Sequence, residues 1–432
     1  MKNVKELCEV IWFLEDKYSL LDFEIDGVKP WQFRRLQLYF EFSEKADVLE
    51  QSQPKLSALR MVASLFMLVK NSFLNNPFLA KKTEVIIFPN ERSKLVNNEH
   101  IDIYTHYLKK ELNDNNITYT EMERPFLAKH IRKKHSNKRY LDFIILLGNI
   151  LKFFVKTDVK PNQEKIFTNL DKDIKDKLGI KFDSRKFLLA AVRRFKINYY
   201  LYSLLFKKLK PKQINIVIAY AHGDVVKAAK DLGITVNELQ HGNFGKFHLG
   251  YSFPKRKKAL DYFPDNLLVW NQYWKDMIDL PIKKENIKIK PFKYLEKEKV
   301  NYIDNKKIKN TLIILSQGAI SQQLSKLILD KFNLFENMEI TYKLHPGEYE
   351  RWEENSFLVE LNSKENLTIA FDINLHEIFS VTEYQLGVFS TALYEGIEFG
   401  CKTMIADLPG VESMEKFIKY HQLIKYNGFY VN

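Results

Sequence analysis

Cysteine is almost absent from this sequence of 432 residues. The two cysteines, Cys8 and Cys401, lie far apart, and no Cys or His residues occur together at metal-ligand spacing. This argues against a disulfide framework and a structural zinc site, and it indicates a reducing compartment. The N-terminal residues also lack the apolar core and small-residue cleavage site of a signal peptide. We therefore expect a cytoplasmic protein.

A long uninterrupted apolar run is also missing. The most apolar stretch, residues 140–155, contains Asp142, Asn149 and Lys152. It is shorter than the ~20 residues that a membrane-spanning helix needs. The stretch therefore predicts a buried or interfacial helix.

Several nucleotide-binding motifs are absent. The sequence contains no G-x-x-x-x-G-K-[ST] loop and no G-x-G-x-x-G after a predicted strand, which argues against a P-loop kinase and a dinucleotide-dependent dehydrogenase. No D-x-D lies between apolar strands, so a metal-dependent single-domain transferase is disfavoured. We predict no metal site and no cofactor, with phosphate charge neutralised by helix ends and side chains.

The net charge of +13 is concentrated in two basic segments, residues 129–139 and 185–212, neither of which contains an acidic residue. Such segments attract anionic partners. Nucleic acid is not expected, because the sequence has no zinc-finger pattern, RNP-like motif or recognition helix. An inner-membrane surface and a phosphate-bearing acceptor both fit the charge. A solvated basic face without a partner stays an open alternative.

Length and periodicity predict more than one domain, because single cores stop growing near ~250–300 residues. Residues 1–77 show helical periodicity without strand-like alternation. Residues 78–293 and 311–432 alternate strands with helices, which predicts two Rossmann-like domains of an α/β protein facing a central cleft. The first domain carries a basic helical insertion at residues 125–212, and residues 294–310 form a linker.

Three polar clusters follow predicted strands of the C-terminal domain, where ligands of doubly wound sheets bind. The residues that we predict to bind a nucleotide-sugar donor are Ser316, Gln317, Gly318, Lys343, His345, Pro346, Ser390, Thr391 and Glu395. His345 can donate a hydrogen bond to a phosphate, and the helix after Ser390 and Thr391 presents free amides to it. Glu395 can reach a ribose. Each cluster alone also has a purely structural explanation, such as an N-cap.

The first domain supplies candidates for the other side of the cleft. Gln240-His-Gly242 follows a predicted strand. His241 is a candidate acid, base or phosphate contact, and Gln240 and Gly242 are candidate acceptor contacts. In an earlier loop, Glu91 is a possible general base and Arg92 a possible acceptor anchor, with Asp102 a second carboxylate nearby in sequence.

Three motifs together resemble the bacterial surface-polysaccharide transferases of GT-B architecture: Gln240-His-Gly242, Lys343-Leu-His-Pro346 and Phe389-Ser-Thr-Ala-Leu-Tyr-Glu395. Sialyltransferases and Kdo transferases carry a similar His-Pro and Ser/Thr pair around a CMP-sugar, and polyol-phosphate transferases carry something similar around a CDP-linked donor. The resemblance implies that His345, Ser390 and Thr391 bind the donor phosphate and that Glu395 faces the nucleotide. The acidic pair followed by glycine that supplies the sialyltransferase base is missing here.

The sequence therefore predicts an enzyme, a metal-independent glycosyltransferase. It would move a sugar from a CMP- or UDP-linked donor to a bacterial surface glycan such as capsule, O-antigen or lipooligosaccharide, with the acceptor glycan free or lipid-linked. Two alternatives stay open. One is polyol-phosphate transfer, and the other is a non-catalytic adaptor that docks a polysaccharide synthase on the inner membrane through the basic segments.

Overall fold

The computed structural model describes residues 3–46, 48, 58–91, 93–96, 98–126, 129–254, 256 and 258–431, with residues 58–62 described as helical backbone. The chain begins with three helices, α1 (Val4–Lys17), α2 (Pro30–Lys45) and α3 (Ala58–Leu74). A buried core joins α1 and α2 to later helices. At its centre, Arg35 donates to Glu15 and to the carbonyl of Ser252, and the Trp31 indole also donates to Glu15. The helical segment is thus built onto the domain that follows it.

The next part of the chain forms a seven-stranded parallel sheet and a separate hairpin. Its strands are β1 (Val85–Phe88), β2 (Lys94–Val96), β3 (Glu99–Ile101), β4 (Tyr119–Glu123), β5 (Lys138–Tyr140), β6 (Gln213–Ile216), β7 (Thr235–Leu239), β8 (Asn266–Val269) and β9 (Ile287–Ile289). The sheet order is β5-β4-β1-β6-β7-β8-β9, with β2 and β3 in the hairpin. Its helices are α4 (His106–Asp114), α5 (Asp142–Leu151), α6 (Pro161–Leu178), α7 (Ser184–Leu209), α8 (Gly223–Lys230) and α9 (Gln272–Met277).

Helix α10 (Lys293–Asn301) leads to a second seven-stranded sheet. Its strands are β10 (Ile308–Leu315), β11 (Glu339–Lys343), β12 (Leu367–Ala370), β13 (Thr382–Gly387), β14 (Lys402–Ala406), β15 (Ile424–Tyr426) and β16 (Phe429–Val431). The order is β12-β11-β10-β13-β14-β16-β15, with the first five strands parallel and β16 antiparallel to both neighbours. The helices are α11 (Ser321–Asp330), α12 (Ser356–Asn362), α13 (Leu375–Val381), α14 (Ala392–Glu398) and α15 (Glu415–Tyr420).

Both sheets have the Rossmann strand order, which reverses direction beside the first strand. The reversal lies between β1 and β6 in the first sheet and between β10 and β13 in the second. The central strands are short apolar runs buried on both faces, such as Val85–Phe88, as expected for parallel sheets covered by helices. The predicted fold class, two Rossmann-like α/β domains with a helical N-terminal segment, is confirmed.

A shared apolar core holds the two domains together. Leu267 and Trp274 of the first domain belong to the same buried cluster as Leu315 and Leu393 of the second. Polar contacts flank it, with Asn271 donating to Glu398 at 3.2 Å. The stretch predicted as linker, residues 294–310, consists of most of α10 and the start of β10. Its helix therefore lies between the domains as part of the structure.

The apolar stretch at residues 140–155 forms β5's last residue, helix α5 and a following turn. Among the described residues, no helix is both long and apolar enough to cross a membrane.

Candidate active site

Three loops meet at the carboxyl edge of the second sheet, because they follow the adjacent strands β11, β10 and β13. The Phe389 amide donates to Gln317 Oε1 at 3.0 Å, which joins the β10 and β13 loops. Ser316 Oγ donates to Glu348 at 2.9 Å, which joins the β10 and β11 loops. The structure thus brings the three predicted donor-binding clusters together at one edge.

His345 lies exposed at the end of β11. Pro346 starts a short 3-10 turn after it, and the Gly347 amide donates to His345 Nδ1 at 3.1 Å. This contact places the proton of the neutral ring on Nε2, the atom that can donate to an anionic oxygen. The Glu348 carboxylate accepts from the His345 amide at 2.7 Å. Glu348 is therefore a positioning residue for both Ser316 and His345. No sequence pattern predicts this role for Glu348.

Lys343, the last residue of β11, and Gly318, in the loop after β10, lie near His345. The Lys343 ammonium is largely buried and donates to Tyr349 Oη at 2.7 Å, and burial lowers its pKa. A Cβ added to Gly318 would lie 3.6 Å from His345 Nδ1. The β10 loop therefore runs directly beside the imidazole, and the Lys343 ammonium is held at the end of β11 by Tyr349.

The β13 loop leads into α14, and Ser390 Oγ accepts from the Ala392 amide at 3.2 Å. Thr391 makes no side-chain capping bond. One turn on, Glu395 contacts His376 Nε2 at 2.8 Å, and His376 Nδ1 contacts Glu298 at 3.0 Å. The Glu395 carboxylate is thus held in position from α13 and α10.

A cavity of about 590 Å³ lies between the two domains beside α14, and Glu395 is part of its wall. Trp270 and Phe292 of the first domain also line it. Their rings stack on each other at a centroid distance of 4.8 Å. A cavity lined by aromatic rings and a carboxylate is suited to a nucleoside, whose base stacks and whose ribose hydroxyls donate.

Gly396 sets the position of α14 against the sheet. An added Cβ would lie 2.0 Å from Gln385 Oε1, and the buried Gln385 amide is held by bonds to Leu393 O and Thr403 Oγ1, both 2.7 Å. We expect Gly396→Ala to lower the free energy of unfolding by about 1–3 kcal/mol through overpacking. Urea unfolding measures this. In a Gln385→Ala background the same change should cost less than about 1 kcal/mol, and an equal cost in both backgrounds would refute the packing explanation.

The first domain faces this edge through the loop after β7. A Cβ added to Gly242 would lie 3.9 Å from Thr391 Oγ1, so the predicted acceptor and donor loops approach closely. Gln240 is buried, and its side chain accepts from the Trp270 amide at 2.9 Å and donates to Gly242 O at 3.0 Å. Gln240 thus shapes the loop from within, and direct acceptor contact by its side chain stays a prediction.

His241 lies between two tyrosine hydroxyls. Its Nε2 is 3.4 Å from Tyr220 Oη, and its Nδ1 is 3.4 Å from Tyr251 Oη. Burial, with a smaller contribution from His248, lowers the pKa of His241 to about 3. The imidazole is therefore neutral at neutral pH and able to accept a proton. A bound anionic donor would raise that pKa, since negative charge stabilises the imidazolium.

Glu238 lies behind His241 and was not assigned a role from the sequence. Its Oε1 accepts from Tyr251 Oη and from the Ala219 amide, and its Oε2 has no hydrogen-bond partner among the described residues. Burial raises the pKa of Glu238 to about 7. The sequence signal for Glu238 is a glutamate within an otherwise buried strand. Its partner Tyr251 comes from a loop that no sequence pattern connects to that strand.

We expect Glu238→Gln to change how stability depends on pH. In the wild type the folded state retains the Glu238 proton up to about pH 7, while the unfolded state loses it near the ordinary pKa of 4.5. Folding therefore loses stability as the pH rises from 4.5 to 7. Glutamine does not titrate and so removes that loss. The free energy of unfolding of Glu238→Gln, relative to that of the wild type, should therefore rise by up to about 3 kcal/mol between pH 4.5 and pH 7.

Urea unfolding at pH 5 and pH 7.5 measures the gain. Glu84→Gln, at a half-exposed surface ion pair with Lys212, serves as the control. Its stability difference from the wild type should show no comparable rise with pH, because the folded state lowers the pKa of Glu84. A Glu238→Gln difference that is the same at both pH values would contradict the buried-proton explanation.

The loop after β1 holds the remaining candidates. Glu91 is partly buried and acts electrostatically on Arg124, which follows β4, and its role as base stays a prediction. Arg92 lies outside the described residues. Asp102 accepts from Thr105 Oγ1 at 2.7 Å and from the Asn90 amide at 3.2 Å, so it fixes the loop. Among the described residues, no three His, Cys, Asp or Glu side chains group to hold a metal ion.

The basic segments are partly neutralised within the fold. In residues 129–139, Arg132 and Lys138 are buried and each lies 3.0 Å from Glu123, whereas Lys133 and Lys134 are exposed. In residues 185–212, several charges at the surface are paired, such as Arg185 with Glu164 at 2.9 Å. Contact of these segments with an inner-membrane surface stays a prediction.

No family model matches the chain, and no curated protein matches it. Solved structures similar to it include UDP-GlcNAc 2-epimerase from Methanocaldococcus jannaschii, with 12% identity over 80% of this chain and 94% of that chain and a TM-score of 0.43. The Neisseria meningitidis UDP-GlcNAc 2-epimerase bound to UDP-GlcNAc has 13% identity, coverages of 78% and 90%, and a TM-score of 0.40. Phytolacca americana UGT2, complexed with UDP-2fluoro-glucose and pterostilbene, has 10% identity, coverages of 80% and 84%, and a TM-score of 0.40.

Proposed function

We propose that this protein is a glycosyltransferase that moves a sugar from a nucleotide-activated donor to a bacterial surface glycan. One observation carries the proposal: the Ser316, His345 and Ser390 loops meet at one sheet edge and face His241 and Gly242 across the interdomain cleft. Donors of hydrogen bonds and a neutral imidazole thus lie on opposite sides of one cleft, which is the arrangement that group transfer needs.

In the proposed reaction, His345 Nε2 and the Ser390 and Thr391 hydroxyls bond the donor phosphates. Lys343 adds positive charge behind them, and Glu395 bonds the ribose at the interdomain cavity. His241 accepts the proton of the attacking acceptor hydroxyl, whose oxygen forms the new bond to the sugar's anomeric carbon. The bond from that carbon to the phosphate oxygen breaks, and the nucleotide leaves with the electron pair. Hydrogen bonds that strengthen on the departing phosphate lower the barrier.

A donor panel tests the proposal. Calorimetric titration with CMP-, UDP-, GDP- and CDP-linked donors should show one class bound at micromolar to millimolar Kd, with nucleotide released when an acceptor glycan is added. Absence of binding with every donor would overturn the proposal. Consumption of a sugar nucleotide without acceptor and without nucleotide release would replace transfer with another reaction.

Polyol-phosphate transfer is the second candidate, because the three loops supply groups suited to phosphate rather than to any one sugar. CDP-glycerol in the panel distinguishes the two. Release of CMP with glycerol phosphate attached to the acceptor would favour this alternative over sugar transfer.

A further inference from the structure

A second cavity, of about 760 Å³, lies between the helical N-terminal segment and the first domain and shares no lining residue with the predicted donor and acceptor residues. Helices α2, α5 and α7 and the residue after β4 form its walls. Four arginines line it, and we call it the arginine pocket: Arg34, Arg124, Arg193 and Arg194. Since β4 adjoins β1, Arg124 lies at the same carboxyl sheet edge that presents His241 further along.

The arginine pocket carries a large excess of positive charge. Seven Lys or Arg side chains line it against two carboxylates, Glu41 and Asp183. Glu41 is paired with Lys45 at 2.9 Å, and Asp183 accepts the Lys186 amide at the start of α7. The buried Asp224 nearby already accepts bonds from Asn198 Nδ2 and the Val225 amide. Asp224 acts electrostatically on Arg34, Arg124 and Arg194, and Glu91 acts on Arg124. Four carboxylates thus act on the seven cationic side chains, which leaves a net positive charge.

The guanidinium groups are close enough to repel each other. Burial, followed by Arg194 and Arg124, lowers the pKa of Arg34 to about 10. The Nε atoms of Arg124 and Arg193 are buried and have no hydrogen-bond partner among the described residues. A buried donor without a partner costs free energy. An anion with several oxygens would supply the missing acceptors and compensate the repulsion.

The surroundings of the pocket are apolar. Ile144, Ile145, Phe182 and Phe187 form part of its wall. Directly after α5, Phe153 and Phe154 are 79% and 76% exposed. Helix α3 packs along α5 and exposes Phe66 and Phe73 at 70% and 74%. Exposed aromatic side chains beside a cationic pocket match a ligand with an anionic head and a hydrocarbon chain.

We propose that the arginine pocket binds the phosphate of a lipid-linked acceptor, whose hydrocarbon chain lies against the exposed aromatic side chains after α5 and on α3. The inference deepens the proposed function and rests on it for the acceptor role of that lipid. Binding of the lipid phosphate itself depends only on the pocket. Because Arg124 lies at the carboxyl edge of the first sheet, the bound phosphate would lie at the same edge as Glu91 and His241.

Vesicle cosedimentation tests the proposal. Phosphatidylcholine vesicles containing a polyprenyl phosphate should bind the full-length protein, and the same vesicles with the uncharged polyprenol should not. Arg34→Gln with Arg194→Gln should weaken binding at least about tenfold, because two charge-assisted contacts are lost. Ala190→Trp, which fills the pocket from an exposed position on α7, should weaken it equally while leaving every arginine in place.

The matched control is Lys172→Gln with Lys175→Gln, which removes two exposed charges on α6, outside the pocket and outside both basic segments, and should change binding by less than about threefold. Equal loss in this control would overturn the pocket in favour of general surface charge. Calorimetry compares inorganic phosphate with a short-chain prenyl phosphate as ligands of the pocket. If inorganic phosphate binds with an equally low Kd, the lipid assignment is overturned. Donor titration of the wild-type protein keeps the two proposals separate. Donor binding without lipid binding would contradict only this proposal, and lipid binding without donor binding would contradict only the proposed function.

Discussion

His241→Ala should lower kcat by about 10²–10⁴-fold, the contribution expected of a general base, and change the Kd of the donor by less than about threefold. The neutral imidazole lies between Tyr220 and Tyr251 at the loop that faces Thr391. Alanine removes the proton acceptor and leaves the donor-binding loops of the second domain untouched. Steady-state kinetics with the donor identified by the panel, together with calorimetry, measures both quantities.

His106→Ala is the matched control, because His106 is a half-buried histidine on α4 without a contact to the cleft loops among the described hydrogen bonds. Its kcat should stay within about twofold of the wild type. A His241→Ala variant with wild-type kcat would remove His241 from the mechanism. A variant that loses donor affinity and keeps kcat would assign it to phosphate binding instead.

Ser390→Asp should raise the Kd of the nucleotide donor by at least about 100-fold, because a carboxylate would lie where the donor phosphate binds and like charges repel by several kcal/mol in a partly desolvated cleft. The fold should tolerate the change. Aspartate can accept the Ala392 amide as Ser390 Oγ does. Calorimetric titration of folded variant protein measures the effect.

Ser390→Asn separates charge from size, because asparagine has the shape of aspartate without the charge. We expect its Kd to rise about tenfold or less. Equal affinities of the Asp and Asn variants would show that no phosphate approaches Ser390. In that case the donor site would have to be sought elsewhere in the cleft.

Much of the second domain could be predicted from the sequence because its strands are apolar runs bounded by polar turns. The sequence pattern predicts strands at residues 367–370 and 402–406, and β12 (Leu367–Ala370) and β14 (Lys402–Ala406) have these bounds. The sequence pattern predicts no strand at β9 of the first domain or at the β15–β16 hairpin of the second domain. They are three residues each, and β9 and β15 lie among lysines with exposed faces. Periodicity is weak where a strand is short and half-solvated.

The meeting of the three predicted donor-binding loops could be predicted because parallel strands end at one sheet edge. Contacts between distant segments could not be predicted in this way. Tyr251 reaches Glu238 only through the path of the intervening loop, and the arginine pocket combines Arg34, Arg124 and Arg194 from three separate segments. Strand pairing determines which ends are neighbours, whereas these contacts depend on how whole helices and loops pack.

A crystal structure of the protein soaked with CMP, UDP and GDP would show directly whether the second domain holds the nucleotide of the donor. We expect phosphate oxygens within hydrogen-bond distance of His345 Nε2 and Ser390 Oγ, with the ribose against Glu395 in the interdomain cavity. A nucleotide bound in the arginine pocket, or anywhere else while these three residues stay without ligand, would contradict this expectation.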